Sequence, residues 1–242
     1  MASDIVSETA EYNQGETVLE GLLVYDRGLR GKRPGVLVAH QWNGLSQYEA
    51  KRAEMLAQLG YTVFAADIYG KGIRPQESSA AATEASKYRK DRGLLRARMR
   101  AGLDELLKQD ITDARRLAAV GYCFGGTAVL ELARSGAEIT GVVTFHGGLS
   151  SPNPSDARNI RAKVLALHGA DDPLVPPEEV SAFQKEMREG GVDWQMVLYG
   201  GAVHAFTDWT DDTDNSKGIA YNERADRRSW VAMKQFLAEL FQ

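Results

Sequence analysis

The chain's one cysteine, Cys123, stands in the run Gly121-Tyr122-Cys123-Phe124-Gly125-Gly126. The apolar stretch Leu117-Ala118-Ala119-Val120 precedes it, and a helical pattern over residues 127–133 follows. Glycines two residues to either side of a nucleophile are what a sharp strand-to-helix turn demands, because larger side chains there would collide. Such a turn strains the backbone at Cys123 and pushes its side chain up from the sheet. The following helix points its N-terminus at the sulfur, which favours thiolate. A lone cysteine packed as a small buried hydrophobe is the competing reading. The strand before it and the helix after it favour the nucleophile.

A thiolate that attacks a carbonyl needs a base, and the base needs a group to orient it. Turns of this kind are followed along the chain by an acid and then a histidine. The acid falls in His168-Gly169-Ala170-Asp171-Asp172-Pro173-Leu174-Val175-Pro176, just past the apolar run 164–167. Asp172 has the Gly-x-x-Asp-x-x-Val-Pro register and Asp171 does not, so Asp172 is preferred. Either aspartate could instead cap the helix that starts near Pro177. The base is His204, in Gly200-Gly201-Ala202-Val203-His204-Ala205-Phe206, directly after the last strand pattern. His40 ends the first buried strand and braces the loop beside it. His146 and His168 end later strands. Only His204 has the required order.

The oxyanion formed on the attacked carbonyl needs backbone donors. One is the N–H of Phe124, directly after the nucleophile. The other is placed at Trp42, in the loop His40-Gln41-Trp42-Asn43-Gly44 that follows an apolar strand. Trp42, Tyr122, Phe124, Phe206 and Trp209 either wall an apolar pocket over the sulfur or are ordinary packing. Asp208, Asp211, Asp212 and Asp214 lack the glycine and terminal glutamate of a calcium loop, and read as a solvated rim.

The elements that must position these residues follow from the apolar runs. Val18, Leu22 and Val24 alternate with polar or small neighbours, as in a half-exposed hairpin strand near a sheet edge. Residues 35–39, 61–66, 117–120, 139–145, 164–167 and 194–198 read as further strands. Helical spacing recurs over 50–59, 80–107, 127–133, 178–188 and 225–240. Lys87, Arg89, Lys90, Arg92, Arg96, Arg98 and Arg100 form a basic run on the long second helix, read as its solvated face. Strands alternating with helices call for an α/β fold with a mainly parallel sheet, helices on both faces and ligands at the C-terminal strand ends. Nothing breaks residues 1–242 into two domains, so one is expected.

Composition narrows the function. Apolar residues make up 43% and charged residues 26%, enough for a large core without a metal or disulfide staple. Basic residues number 29 and acidic residues 33, a net charge of −4 that gives no reason to expect nucleic acid or an anionic membrane as partner. The N-terminal ten residues lack the apolar run of a secretory signal, and no 18-residue apolar run spans a membrane. A cytoplasmic protein, a monomer or small homo-oligomer, is the expectation.

Together these residues resemble the dienelactone hydrolase family, an α/β-hydrolase group, over nearly the whole chain. The likeness rests on the cysteine turn, the Asp67-Ile68-Tyr69-Gly70 stretch, the acid loop, the His204-x-Phe206 loop, and Tyr221-Asn222 before the Trp-bearing last helix. The resemblance implies hydrolysis of an enol-lactone or related small-molecule ester, without metal or organic cofactor, by acylation of Cys123 and attack of water activated by His204. Two departures matter. The family's founding enzymes carry a glutamate in the oxyanion loop where this chain has Gln41, which cannot accept a proton. They also place a carboxylate-binding arginine four residues after the histidine, where this chain has Asp208. The resemblance then implies a neutral or less acidic ester. A catalytically weak or inactive ligand-binding protein is the alternative, favoured by Gln41 alone. A redox-sensing thiol would call for a resolving cysteine, and there is none.

Overall fold

In the computed structural model, which describes residues 3–242, the apolar runs become strands of one eight-stranded sheet. The chain forms two compact units, Met1–Val120 and Gly121–Gln242.

The first unit opens with an antiparallel hairpin of β1 (Ile5–Gln14) and β2 (Thr17–Asp26). Its two-residue turn uses Gly15 at φ +57°, a conformation glycine adopts without a Cβ penalty. β3 (Arg33–Ala39) is almost wholly buried, as its unbroken apolar run demands. α1 (Gln47–Ala57) begins at a capping box of Ser46 and Glu49. β4 (Thr62–Ala66) pairs parallel with β3 and antiparallel with β2.

The long helix expected over 80–107 is two helices, α2 (Ser78–Lys90) and α3 (Arg92–Leu107). Asp91 breaks it: its backbone leaves the helical region at φ −111°, ψ 87°, and its carboxylate accepts the Leu94 N–H at 2.8 Å. A carboxylate that can cap competes with helix continuation. The basic run is also not a uniform solvated face. Arg98 is only 6% exposed and donates to the Gln14 carbonyl and the Thr17 hydroxyl, so α3 is tied to the hairpin. Gly102 lets α3 approach β4, since a Cβ there would lie 2.7 Å from that of Ala66.

β5 (Thr112–Tyr122) carries the chain into the second unit. There α4 (Phe124–Arg134) follows, then β6 (Gly141–Phe145), β7 (Lys163–Gly169), α5 (Pro177–Gly190), β8 (Trp194–Tyr199) and α6 (Glu223–Leu240). β6, β7 and β8 pair parallel in that order. A Cβ on Gly141 would meet Leu240 and one on Gly126 would meet Thr144. Residues 141 and 144 point to opposite faces of β6, so α6 and α4 cover opposite faces. The strand order of the sheet is β1-β2-β4-β3-β5-β6-β7-β8. Among the described residues no helix is long and apolar enough to cross a membrane.

A buried ionic clamp joins α4 to α5. The Arg134 guanidinium, with no exposed surface, forks onto both Glu186 oxygens at 2.8 and 2.7 Å. It also reaches Glu131 at 3.1 Å and the Leu149 carbonyl at 2.9 Å. Arg134→Leu removes the cation between two buried carboxylates, and urea unfolding should record a loss of about 3–5 kcal/mol. A loss below about 1 kcal/mol would mean that the clamp does not hold the two helices.

Candidate active site

The turn from β5 into α4 puts Cys123 at φ 53°, ψ −117°, a strained backbone for a residue with a side chain. It closes because residue 121 is glycine: a Cβ there would lie 2.0 Å from the Gly125 carbonyl oxygen. Gly126 is equally constrained, 2.3 Å from Thr144 Oγ1 and 2.8 Å from the Gly147 Cα by the same measure. The Cys123 N–H is shared between the Phe145 carbonyl at 3.0 Å and His146 Nδ1 at 3.1 Å.

His204 lies between two partners. Its Nε2 is 3.2 Å from Cys123 Sγ and its Nδ1 is 2.8 Å from Asp172 Oδ2. An ionised carboxylate can only accept, so Nδ1–H donates to Asp172 and Nε2 faces the sulfur. All three side chains are buried. The histidine loop is fixed by its backbone: the His204 N–H donates to the Gly218 carbonyl, and the Ala220 N–H returns a bond to the His204 carbonyl.

The two adjacent aspartates do different things. Asp172 holds the imidazole with one oxygen and accepts the Leu174 N–H at 2.8 Å with the other. Asp171 turns away and accepts the Gly201 N–H at 3.0 Å, while its own N–H donates to the Ala202 carbonyl. It ties the acid loop to the base of the histidine loop. Neither caps α5, whose N-cap is Pro176 without a side-chain bond.

Other sequence-predicted residues are placed less uniformly. Phe124 opens α4, where a first-turn N–H has no intrahelical acceptor. Tyr122 is fully buried and stacks on Phe145. Phe206 is fully buried between His146 and Tyr199. Trp209 is 38% exposed. Asp208 is not part of a solvated rim: it is 7% exposed and accepts the Thr210 N–H and O–H with one oxygen. Burial, then the neighbouring Asp208, raises the Asp211 carboxyl to about 6. Asp212 and Asp214 are solvated as expected, with Lys217 on Asp212. Among the described residues no cluster could hold a metal ion.

Gln41 and Trp42 belong to the first unit, where their loop is tightly held. The Gln41 carbonyl accepts from His40 Nδ1–H at 2.6 Å and from the Gly44 N–H at 3.2 Å. Because the peptide is planar and trans, fixing that carbonyl fixes the opposite direction of the Trp42 N–H. Glu49, buried and raised in pKa by that burial, accepts the Gln41 N–H, and Tyr69 donates to the Trp42 carbonyl. His40 Nε2 accepts the Ile68 N–H, and burial lowers the pKa of the ring to about 4. His40 is neutral and braces the loop. In the chain Glu49 is marked only by its capping-box spacing from Ser46, and no local pattern marks the partners of His146.

The Dienelactone hydrolase family matches residues 19–241, most of the chain. The chain belongs to the dienelactone hydrolase family. A solved structure named m3DLH is 43% identical, covers 99% of this chain and 100% of its own, and superposes with a TM-score of 0.95. A second, a dienelactone hydrolase-like promiscuous phosphotriesterase, P91, from metagenomic libraries, is 40% identical over 100% of both chains, with a TM-score of 0.94. Protein usf of Aquifex pyrophilus is 29% identical over 72% of this chain and 76% of its own. The fold is that of the α/β-hydrolases, and the chain is a hydrolase of the dienelactone hydrolase type.

In this family member the histidine is electrostatically poised. Burial opposes its charged form, but the Cys123 thiolate and the Asp172 carboxylate together outweigh burial and push His204 up to about 10. At 3.2 Å a thiolate on Cys123 and an imidazolium on His204 stabilise each other. His204→Ala returns the sulfur toward the ordinary thiol pKa of about 8.5. Iodoacetamide alkylation at about pH 6.5 should then slow by about a hundredfold, the ratio of thiolate fractions. Equal rates in the two proteins would mean that the ion pair does not form.

Proposed function

We propose that this hydrolase cleaves a carboxylic ester or lactone through an acyl-enzyme on Cys123, with His204 as base and Asp172 orienting it. The reading covers the 242 residues as one hydrolase domain. One observation carries it: a single imidazole bonded on one side to Sγ, at 3.2 Å, and on the other to a carboxylate, at 2.8 Å.

The thiolate adds to the carbonyl carbon, a C–S bond forms, and the π pair moves to oxygen. That oxyanion is met by the Phe124 N–H. Collapse breaks the C–O bond, and the imidazolium gives its Nε2 proton to the departing oxygen. Neutral His204 then takes a proton from water as the water oxygen attacks the thioester. Collapse of the second adduct returns the thiolate and releases the acid. In a lactone the departing oxygen stays tethered, so one hydroxy acid leaves. Because imidazolium is the proton donor, kcat/KM falls as pH rises through about 10.

The substrate is a neutral ester in this reading. Asp208 puts a buried carboxylate four residues past His204, which disfavours a second carboxylate on the substrate. The promiscuous phosphotriesterase among the solved relatives takes its name from another class of uncharged ester.

Hydrolysis of p-nitrophenyl acetate tests the reading. Cys123→Ala and His204→Ala should fall to background, and Asp172→Asn should lose at least about a hundredfold in kcat by losing the tautomer. Activity in the alanine variants equal to wild type would remove Cys123 and His204 from the machinery. Asp208→Asn should raise kcat/KM for a carboxylated lactone relative to its neutral methyl ester. An unchanged ratio would free the substrate assignment from Asp208.

A further inference from the structure

His146 follows β6 with a left-handed backbone at φ 40°, and its N–H is anchored to the Leu167 carbonyl on β7 at 2.9 Å. Its ring has no exposed surface. Nδ1 lies 3.1 Å from the backbone nitrogen of Cys123, and Nε2 lies 2.7 Å from Thr207 Oγ1. A backbone N–H always donates, so Nδ1 must hold a lone pair. The proton of the neutral ring is therefore on Nε2 and is given to Thr207. The elbow amide thus selects the tautomer of His146, and that tautomer selects the partner on the histidine loop.

Thr207 is three residues past His204 and is itself fully buried. The His146 ring also packs edge-on against the rings of His204, at 5.5 Å and 65°, and Phe206, at 5.2 Å and 81°. One side chain therefore touches the backbone of the reacting cysteine, the ring of the base, and the loop that carries the base. Asp172 anchors His204 at Nδ1, and the tilt of the ring about that contact carries Nε2 toward or away from Sγ.

We propose that His146 and Thr207 are positioning residues that set the distance between His204 Nε2 and Cys123 Sγ. The inference rests on the acyl-enzyme reading above. Losing the Thr207 hydroxyl frees the loop, lengthens the contact and weakens the ion pair, without touching the substrate. A small misplacement of reacting groups is enough to lower a rate substantially.

The test compares Thr207→Val, which keeps the shape, with Thr207→Ser, which keeps the hydroxyl. Each is assayed for p-nitrophenyl acetate hydrolysis, for the pH dependence of iodoacetamide alkylation, and for thermal unfolding. Thr207→Val should lose about tenfold in kcat with KM unchanged, and its alkylation profile should move up by about one pH unit. Thr207→Ser should restore both. If the valine variant does not fold, Thr207→Ala carries the same expectation. A variant without the hydroxyl that matches wild type in kcat and alkylation, or that changes only its melting temperature, overturns the proposal. His204→Ala run alongside separates the two readings: if it is as active as wild type, the acyl-enzyme reading fails. If it is inactive while Thr207→Val is normal, only the positioning role fails.

Discussion

The reversal of the chain at Cys123 is the constraint on which the rest depends. β5 arrives buried, α4 must leave at once, and the backbone between them is held at φ 53°, ψ −117°. There is no room for a side chain at residue 121 and none at residue 126. Such strain persists only where the surroundings over-determine it. Here the parallel ladder of β6, β7 and β8, with α6 and α4 on opposite faces of β6, supplies that surrounding. The sulfur is in place because the sheet leaves it nowhere else to go.

Three buried histidines of the second unit are told apart by what they face. His204 meets a thiolate and a carboxylate, and is raised despite burial. His168 is lowered, mainly by burial, which outweighs the pull of Asp172. His146 meets a backbone N–H that dictates its tautomer. The residue type is constant; the partner assigns the chemistry. The same holds for the adjacent pair Asp171 and Asp172, where one carboxylate ties two loops and the other holds the imidazole.

Much of this was legible in the chain. Buried strands announce themselves as unbroken apolar runs, and the glycine spacing around Cys123 reports a turn that tolerates little else. The preference for Asp172 over Asp171 came from register alone, and the geometry puts Asp172 against His204. What escaped was decided by tertiary contacts. Asp91 interrupts a pattern that is otherwise helical on both sides, and the charges around it read straight through the break. Arg98 belongs to a basic run but is buried by carbonyl and hydroxyl acceptors 81 and 84 residues away in sequence. The partners of His146 lie 23 and 61 residues away, a relation that no local pattern encodes.

In the proposed mechanism the acyl group passes through the sulfur of Cys123. Rapid quenching of p-nitrophenyl acetate turnover into acid, followed by peptide mass spectrometry, tests it most directly. One acetyl group is expected on the peptide containing Cys123, appearing within the first turnover and lost as substrate is exhausted. Full turnover with Cys123 unmodified, or an acetyl group carried on a different residue, would contradict it.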